Sequence, residues 1–238
     1  MDYKEKLLGD IFLKYKNKNI KILDIGSGTS QNFIKILKEN SGFHYTGIEY
    51  SEKSIKIAKK NLEDLNFRIL RGFGENQETL EFESFDFIIS LSVLEHVKHL
   101  DNFLENTSAY LKKGGKLIHR YDLGHAIYPS TKREKLKVYL SNNFSFLISK
   151  KHFTCYPSLD NIKKKLFTLG IDDIKVTQHQ MPSLKKSINI LSKLGNSDML
   201  ISEILNIEER VFERLEPLLD QKIKDELFPT ILLIGTKK

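Results

Sequence analysis

Short apolar runs alternate with amphipathic segments along most of the chain. The runs are rich in Ile, Leu and Phe and stop at turn or polar residues, which is typical of strands buried in a parallel sheet. Residues 20–25 and 85–90 are clear examples. The apolar pattern predicts strands at residues 20–25, 44–49, 67–70, 85–90, 116–121, 174–178 and 228–236.

Helical spacing of apolar side chains fills the segments between these runs. Ser51 is predicted to cap a helix at its start, and Gly170 to end one. Helices are predicted at residues 2–16, 31–39, 52–62, 100–111, 131–140 and 158–169, and through 182–226 with breaks near Gly195 and Pro217. Residues 112–115 are predicted to form a turn. Strands that alternate with helices indicate an α/β fold with a doubly wound, mainly parallel sheet.

The first strand ends in a glycine turn that leads directly into a helix. This turn contains Gly26, Ser27 and Gly28. A strand, a glycine turn and a helix together form the unit that receives the polar part of a nucleotide-like ligand at the helix N-terminus. Gln31 stands where the dinucleotide pattern GxGxxG has its third glycine, so that pattern is incomplete.

Length and composition limit the class of protein. The 238 residues are enough for one α/β domain with insertions, and 40% hydrophobic and 29% charged residues are ordinary for a globular protein. The single cysteine, Cys155, excludes an internal disulfide framework and fits a reducing compartment. We expect no signal peptide and no membrane-spanning segment. The prediction is therefore one cytoplasmic domain over residues 1–238, with insertions at 122–157 and 182–226.

Five motifs occur in a characteristic order. They are LDIGSGTS at 23–30, GIEYS at 47–51, RGFGE at 71–75, FDFIISLSVLEHV at 85–97 and LKKGGKLI at 111–118. In this order they resemble the class I S-adenosylmethionine-dependent methyltransferases of the small-molecule type, similar to methyltransferase types 11 and 12. The resemblance covers residues 20–178 and the last strand. It implies a Rossmann-like sheet of seven strands, with the last strand antiparallel between strands five and six, and S-adenosylmethionine as cofactor.

The resemblance also implies how the turn and the second strand would hold this cofactor. Gly26, Ser27 and Gly28 would place backbone N–H groups near its carboxylate. Asp24 would face its ammonium, and Glu49 would accept hydrogen bonds from the ribose hydroxyls. The alternatives are structural: Asp24 braces the turn, and Glu49 is a surface acid.

The same resemblance places the adenine and the methionine end of the cofactor. Tyr50 would stack on adenine. Phe73 occupies a position where relatives often carry Asp, which implies apolar packing there and backbone recognition by Gly74. Ser90, Leu91 and Ser92 would line the methionine end with their backbone carbonyls. The alternative for Tyr50 and Phe73 is that they belong to the core.

Five residues beyond strands four and five are candidates for chemistry. A methyl group is transferred by in-line displacement, which needs alignment of the two reactants and, for an oxygen acceptor, profits from a base. His96 and His125 are predicted bases, Asp122 an orienting residue and Arg120 a clamp for an anion. Tyr121 exits the same strand, although strand alternation puts it on the opposite face from Arg120.

A metal is not part of this prediction. His119, Asp122 and His125 are spaced so that they offer an alternative metal site, as do His96 and His99, but two or three scattered ligands are weak support.

Charge is unevenly distributed between the two insertions. The formal net charge is +7. Residues 124–157 contain six basic residues against Glu134 alone, a net charge of +5, whereas residues 182–226 carry a net charge of −2. We expect both insertions to cover the site and exclude water. The hypothesis is a small anionic acceptor: a phosphorylated sugar, a sugar nucleotide or a phosphoramidate-type precursor in polysaccharide (capsule) biosynthesis. The alternative is that residues 132–137 are a solvated helix face.

Other partners and activities were weighed against this prediction. Nucleic acid is disfavoured because the basic residues lack interleaved aromatic side chains. The apolar residues between 200 and 211 offer a homodimer surface as one alternative. The competing activities are an NAD(P)-dependent oxidoreductase and a non-catalytic cofactor-binding scaffold.

Overall fold

A computed structural model describes residues 3–74, 80–128, 131–144, 153–193 and 198–238. Its centre is a seven-stranded sheet with the order β3-β2-β1-β4-β5-β7-β6. Five neighbouring strands are parallel, and β7 is antiparallel to both β5 and β6. The predicted α/β fold and the position of its last strand are thereby confirmed. The strands are β1 (Ile20–Ile25), β2 (Phe43–Glu49), β3 (Phe67–Arg71), β4 (Phe85–Leu91), β5 (Leu111–Asp122), β6 (Ile171–His179) and β7 (Thr230–Lys237).

Helices pack on both faces of this sheet, as a doubly wound fold requires. They are α1 (Tyr3–Phe12), α2 (Ile34–Glu39), α3 (Glu52–Asn61), α4 (Leu100–Tyr110), α5 (Gly124–Ile127), α6 (Lys132–Asn143), α7 (Leu159–Thr168), α8 (Pro182–Leu191), α9 (Asp198–Leu215) and α10 (Gln221–Leu227). Short 3₁₀ turns lie at Leu13–Tyr15, Gln31–Phe33, Leu94–His96 and Glu216–Leu218.

The alternation of side chains along the strands divides the core into two layers. Leu23 and Ile25 face one layer together with Phe103 of α4. Ile22 faces the opposite layer, where Phe12 of α1 belongs to the same core. Residues next to each other on a strand therefore serve opposite sides of the sheet, which decides below which side chains reach a common site.

Two strands begin earlier than the sequence pattern predicts. β5 starts at Leu111, so the predicted turn at residues 112–115 is wrong: these residues form an irregularity inside the strand, between the pairs Phe85–Leu111 and Phe87–Lys116. β6 starts at Ile171 and shifts register before Lys175. Bulges of this kind break the apolar alternation, which explains why the pattern placed both strand starts too late.

The two insertions lie at the same edge of the sheet. The first carries α5 and α6, and the second carries α8, α9 and α10. In the second, Ile201 and Leu205 of α9 are buried and pack with Ile188 of α8, whereas Leu200 and Ile207 stay exposed. The apolar residues expected at a dimer surface are thus divided between the interior and the surface, and the dimer stays a prediction.

Candidate active site

A cavity of about 320 Å³ opens at the carboxyl ends of the parallel strands. This volume lies at the lower end of the range for small-molecule sites, and this edge is where open α/β sheets bind ligands. Its walls come from the end of β1 and the turn after it, the ends of β2 and β3, the loop after β4, α4 and α6. The lining residues are Ile25, Gly26, Ile48, Glu49, Tyr50, Gly72, Phe73, Gly74, Ser92, Val93, His96, Val97, Phe103 and Lys137.

The glycine turn forms the floor of the cavity. Gly26 has a positive φ of 72°, and a Cβ atom there would meet Val93 Cγ2 at 2.5 Å. Gly26 and Ser27 donate their N–H groups to the Ile48 carbonyl at 2.9 and 3.0 Å. Gly28 donates to Glu49 Oε2 at 2.9 Å. The prediction that these three amides face a ligand carboxylate differs from the structure, because the turn closes onto β2 instead.

Glu49 joins the turn to the helix that follows β2. Its Oε2 accepts from Gly28 N, and its Oε1 accepts from Ser51 N at 2.8 Å. The side chain is buried yet lines the cavity. The surface-acid alternative is therefore wrong, and Glu49 stands as a fixed acceptor at the end of β2, where a ribose diol would be recognised.

Asp24 does not line the cavity. Its Oδ2 accepts a 2.7 Å hydrogen bond from the Tyr45 hydroxyl, which also lies 3.0 Å from Ser30 Oγ. Burial raises the pKa of the Asp24 carboxyl to about 7, against the opposing effect of the Tyr45 hydrogen bond. The geometry matches the structural alternative, in which Asp24 braces the turn. Its contact with a ligand ammonium stays a prediction.

Two aromatic rings line the cavity side by side. Tyr50 and Phe73 are stacked with ring centroids 5.2 Å apart and planes 9° from parallel. Both rings are partly exposed, so the core alternative is wrong for both. Together with Gly74 they offer flat apolar surface beside Glu49, which suits an aromatic base next to a ribose.

The loop after β4 begins one residue later than predicted. Ser90 is buried, with its Oγ 2.7 Å from His119 Nδ1, and Leu91 belongs to the core, so neither lines the cavity. Of the three predicted residues only Ser92 lines the cavity, together with Val93, which was not predicted. Ser92 has a φ of 64° and donates its N–H to the Arg120 carbonyl at 2.6 Å, which turns the chain towards the cavity.

His96 lines the cavity, as its predicted role requires. Its Nδ1 lies 3.2 Å from the Phe153 carbonyl oxygen and 3.3 Å from Thr154 Oγ1. Beside it, Glu95 is fully buried, and burial raises the pKa of its carboxyl to about 7. Glu95 Oε1 accepts from Asp122 N at 3.2 Å, so this carboxyl supports the loop rather than the cavity.

The strand-five candidates do not converge on the cavity. Arg120 is 2% exposed and donates to Ser92 Oγ at 3.3 Å and to Gln180 Oε1 at 2.7 Å. Asp122 accepts from Gly124 N and pairs with Lys185 Nζ at 2.5 Å. Neither residue lines the cavity, although Arg120 contacts Ser92, which does.

Tyr121 is a core residue. Its side chain is fully buried, on the face opposite to Arg120, and burial raises its pKa. It is therefore wrong as a catalytic candidate. The side chain of His125 lies outside the described part of the structure, so its role stays a prediction.

Seven cavity residues were not predicted as site residues: Ile25, Ile48, Gly72, Val93, Val97, Phe103 and Lys137. Five of them are apolar and look like ordinary core positions: Ile25 and Ile48 lie at the ends of strands, Val93 and Val97 flank the 3₁₀ turn Leu94–His96, and Phe103 lies in α4. Lys137 was counted only as one charge of a basic helix. The structure separates it from its neighbours, because Lys132, Arg133 and Lys135 are exposed whereas Lys137 is half-buried at the cavity. Nothing in its sequence context marks that difference.

The described residues contain no group of three or more His, Cys, Asp or Glu side chains arranged to hold a metal ion. Within the same residues, no helix is long and apolar enough to cross a bilayer.

The sheet order and the cavity define a class of protein. In the dinucleotide-binding Rossmann sheet all strands are parallel in the order 3-2-1-4-5-6, whereas here an antiparallel strand lies between β5 and β6. With the glycine turn and the acid at the end of β2, this is the architecture of S-adenosylmethionine-dependent methyltransferases. Residues 3–175 match the family described as a methyltransferase domain, and the chain belongs to that family.

Curated relatives agree with this assignment over part of the chain. A ubiquinone biosynthesis O-methyltransferase of Pelagibacter ubique is 30% identical over 118 residues, which is 47% of this chain and 47% of that protein. One from Actinobacillus pleuropneumoniae is 28% identical over 127 residues, half of each chain. The chain thus matches about half the length of these relatives.

Solved structures share the fold. Phosphoethanolamine N-methyltransferase 2 of Haemonchus contortus, in complex with S-adenosyl-L-methionine, aligns with a TM-score of 0.63 and 17% identity over 97% of this chain and 52% of its own. A SAM-dependent methyltransferase from Archaeoglobus fulgidus gives a TM-score of 0.57 and 17% identity, covering 98% of this chain and 94% of its own.

The cavity fits S-adenosylmethionine as cofactor. Gly26 brings its backbone to the cavity wall without a side chain, Glu49 is a fixed acceptor for hydroxyl groups, and the Tyr50–Phe73 pair offers a surface for adenine. Phe103 and His96 line the same cavity, and the Phe103 ring lies beside Gly74.

Proposed function

We propose that this protein transfers the methyl group of S-adenosylmethionine to an oxygen atom of a small polar acceptor that carries a negative charge. The observation that carries this proposal is the shared cavity. His96 and Lys137 line the same cavity as the glycine turn and Glu49. A base and a cation therefore accompany the cofactor-binding residues.

The chemistry follows from these positions. The sulfonium of the cofactor supplies an activated methyl group and a neutral thioether as leaving group. Phe103 and Val97 provide apolar walls that limit water around the reacting atoms. His96 accepts the proton of the acceptor hydroxyl, and Lys137 holds the anionic group so that the hydroxyl is in line with the methyl group.

The names of several relatives support an oxygen acceptor, since the ubiquinone biosynthesis enzymes found at about 30% identity are O-methyltransferases. A polyketide synthase that is 32% identical over 123 residues gives no information on the acceptor. The phosphoethanolamine N-methyltransferase shares only the fold, and its acceptor is a property of that protein. The negative charge of the acceptor rests on Lys137 alone, and the identity of the acceptor (a phosphorylated sugar, a sugar nucleotide or another anionic alcohol) remains part of the proposal.

A transfer assay tests the reaction. Labelled S-adenosylmethionine is incubated with glucose 1-phosphate, UDP-glucose and 3,4-dihydroxybenzoate, and with the neutral counterparts glucose and catechol. We expect transfer to an anionic hydroxyl compound and weaker transfer to its neutral counterpart. Binding of S-adenosylhomocysteine without transfer to any compound of the panel would favour a non-catalytic scaffold.

The substitution Lys137→Ala tests whether the positive charge of Lys137 binds the anionic group of the acceptor. A hydrogen bond to a charged group contributes about 1.5–3 kcal/mol, so KM for the anionic acceptor is expected to rise about tenfold or more. kcat should change little, and affinity for S-adenosylhomocysteine should not change. Lys135→Ala, two positions earlier on the exposed face of the same helix, is the matched control. Equal effects of the two substitutions would refute the role of Lys137.

A further inference from the structure

The segment Phe153–Cys155, which lies between α6 and α7, docks onto the loop that carries His96. Cys155 donates its N–H to the Glu95 carbonyl at 2.9 Å. Thr154 is 5% exposed, and its N–H donates to Ser141 Oγ of α6 at 3.3 Å. These backbone contacts place the first insertion directly against the imidazole of His96.

The hydrogen bonds around Thr154 define the protonation of that imidazole. The hydroxyl of Thr154 donates to the Phe153 carbonyl at 2.9 Å, which uses its one proton. Its oxygen therefore faces His96 Nδ1, 3.3 Å away, as an acceptor. The Phe153 carbonyl, 3.2 Å from the same nitrogen, is also an acceptor. Two acceptors at Nδ1 require a proton on Nδ1, so the neutral ring carries its lone pair on Nε2.

We propose that Thr154, together with the Phe153 carbonyl, is a positioning residue that fixes His96 with its proton on Nδ1, so that Nε2 is the base of the reaction. This inference rests on the proposed function. As the acceptor oxygen forms its bond to the methyl carbon, its proton passes to Nε2. The C–S bond breaks, and its electron pair neutralises the sulfonium. The resulting imidazolium keeps its Nδ1–H bond to the two acceptors, which stabilise the charge.

The same contacts connect the base to acceptor binding. Ser141, which accepts from Thr154, lies one helical turn after Lys137, so both residues lie on the same face of α6. Docking of α6 therefore brings the proposed anion-binding residue and the positioning residue into place together. The first insertion therefore supplies the groups that orient His96, in addition to the Lys137 side chain that lines the cavity.

The tautomer of His96 can be measured in the absence of a methyl acceptor. Nitrogen-15 spectra of the full chain, with the His96 signal assigned by its loss in His96→Gln, are expected to show the proton on Nδ1. A proton on Nε2 in the native protein would overturn the proposal. Thr154→Val keeps the shape of the side chain but removes the hydroxyl, and should increase the fraction with the proton on Nε2.

Kinetics supply the second test. Thr154→Val should lower kcat about tenfold, the value of one lost hydrogen bond to a charged group, with little change in KM. Because the imidazolium loses an acceptor, the acid limb of the pH profile of kcat should move to lower pH, and Thr154→Ser should restore both values. An unchanged profile in Thr154→Val refutes the positioning role. If the native protein transfers no methyl group, the proposed function fails, and the nitrogen-15 spectra still decide the tautomer.

Discussion

Asp24 is the buried group whose replacement gives the clearest physical test. The substitution Asp24→Asn keeps the shape of the side chain and an oxygen that can accept from the Tyr45 hydroxyl, but removes the titratable carboxyl. The Asp24 side chain is 4% exposed, and burial raises the pKa of its carboxyl from 3.8 to about 7. The perturbation therefore acts on the pH dependence of stability rather than on packing.

The sign and size of the effect follow from proton binding. Between pH 4 and 7 the folded state holds the Asp24 proton more tightly than the unfolded state, so stability must fall as the pH rises through this window. Of this window, about two pH units lie above pH 5. Over each unit the free energy of unfolding should fall by about 1.36 kcal/mol. From pH 5 to pH 8.5 this one carboxyl should cost the native protein about 3 kcal/mol.

Urea unfolding of the native protein and of Asp24→Asn at pH 5 and pH 8.5 measures this cost. The native protein should lose about 3 kcal/mol more than the variant over this interval. The contributions of the other titrating groups, including Glu95, to the pH dependence of stability cancel in this comparison, because these groups are present in both proteins. Parallel pH profiles would refute the reasoning. Calorimetry of S-adenosylmethionine binding near pH 6.5 adds a check, since contact with the cofactor ammonium would release the Asp24 proton.

Two further substitutions test the cofactor-binding edge. Glu49→Gln should weaken S-adenosylhomocysteine binding about 10- to 100-fold, because hydrogen bonds to a charged group contribute about 1.5–3 kcal/mol; isothermal calorimetry measures it, and unchanged affinity would contradict the ribose contact. Gly26→Ala should lower the free energy of unfolding by about 1–3 kcal/mol through backbone strain, plus the clash with Val93. Its control is Gly28→Ala, which has a positive φ but no neighbour within 4 Å, so equal losses in urea would contradict the clash.

The parts of the fold that depend on local chemistry could be predicted from the sequence. The glycine turn after β1, the acid at the end of β2 and the apolar runs follow from spacing within a few residues, and they sufficed for the sheet. The irregularities in β5 and β6 could not be placed, since the apolar pattern loses its alternation where a strand carries extra residues.

The hydrogen-bond partners of side chains on neighbouring strands could not be predicted from local sequence. Asp24 and Gly28 have the residue types expected of ligand contacts, yet their partners are Tyr45 and Glu49, both 21 positions away. In the sheet register Ile22 pairs with Tyr45, which brings that hydroxyl to Asp24. Register fixes these partners, and it is set by the whole sheet rather than by either motif.

The position of Lys137 in the first insertion likewise could not be predicted from local sequence. Lys135 and Lys137 are equivalent in the sequence, and only the docking of α6 through Ser141 and Thr154 turns one of them towards the cavity. The basic composition of the insertion therefore predicts a charge but not its position. Since His96 contacts the same docked segment, the proposed acceptor-binding charge and the proposed base depend on a single set of contacts. Acceptor specificity in this protein should therefore change with the α6 segment, while the sheet edge that holds the cofactor stays constant.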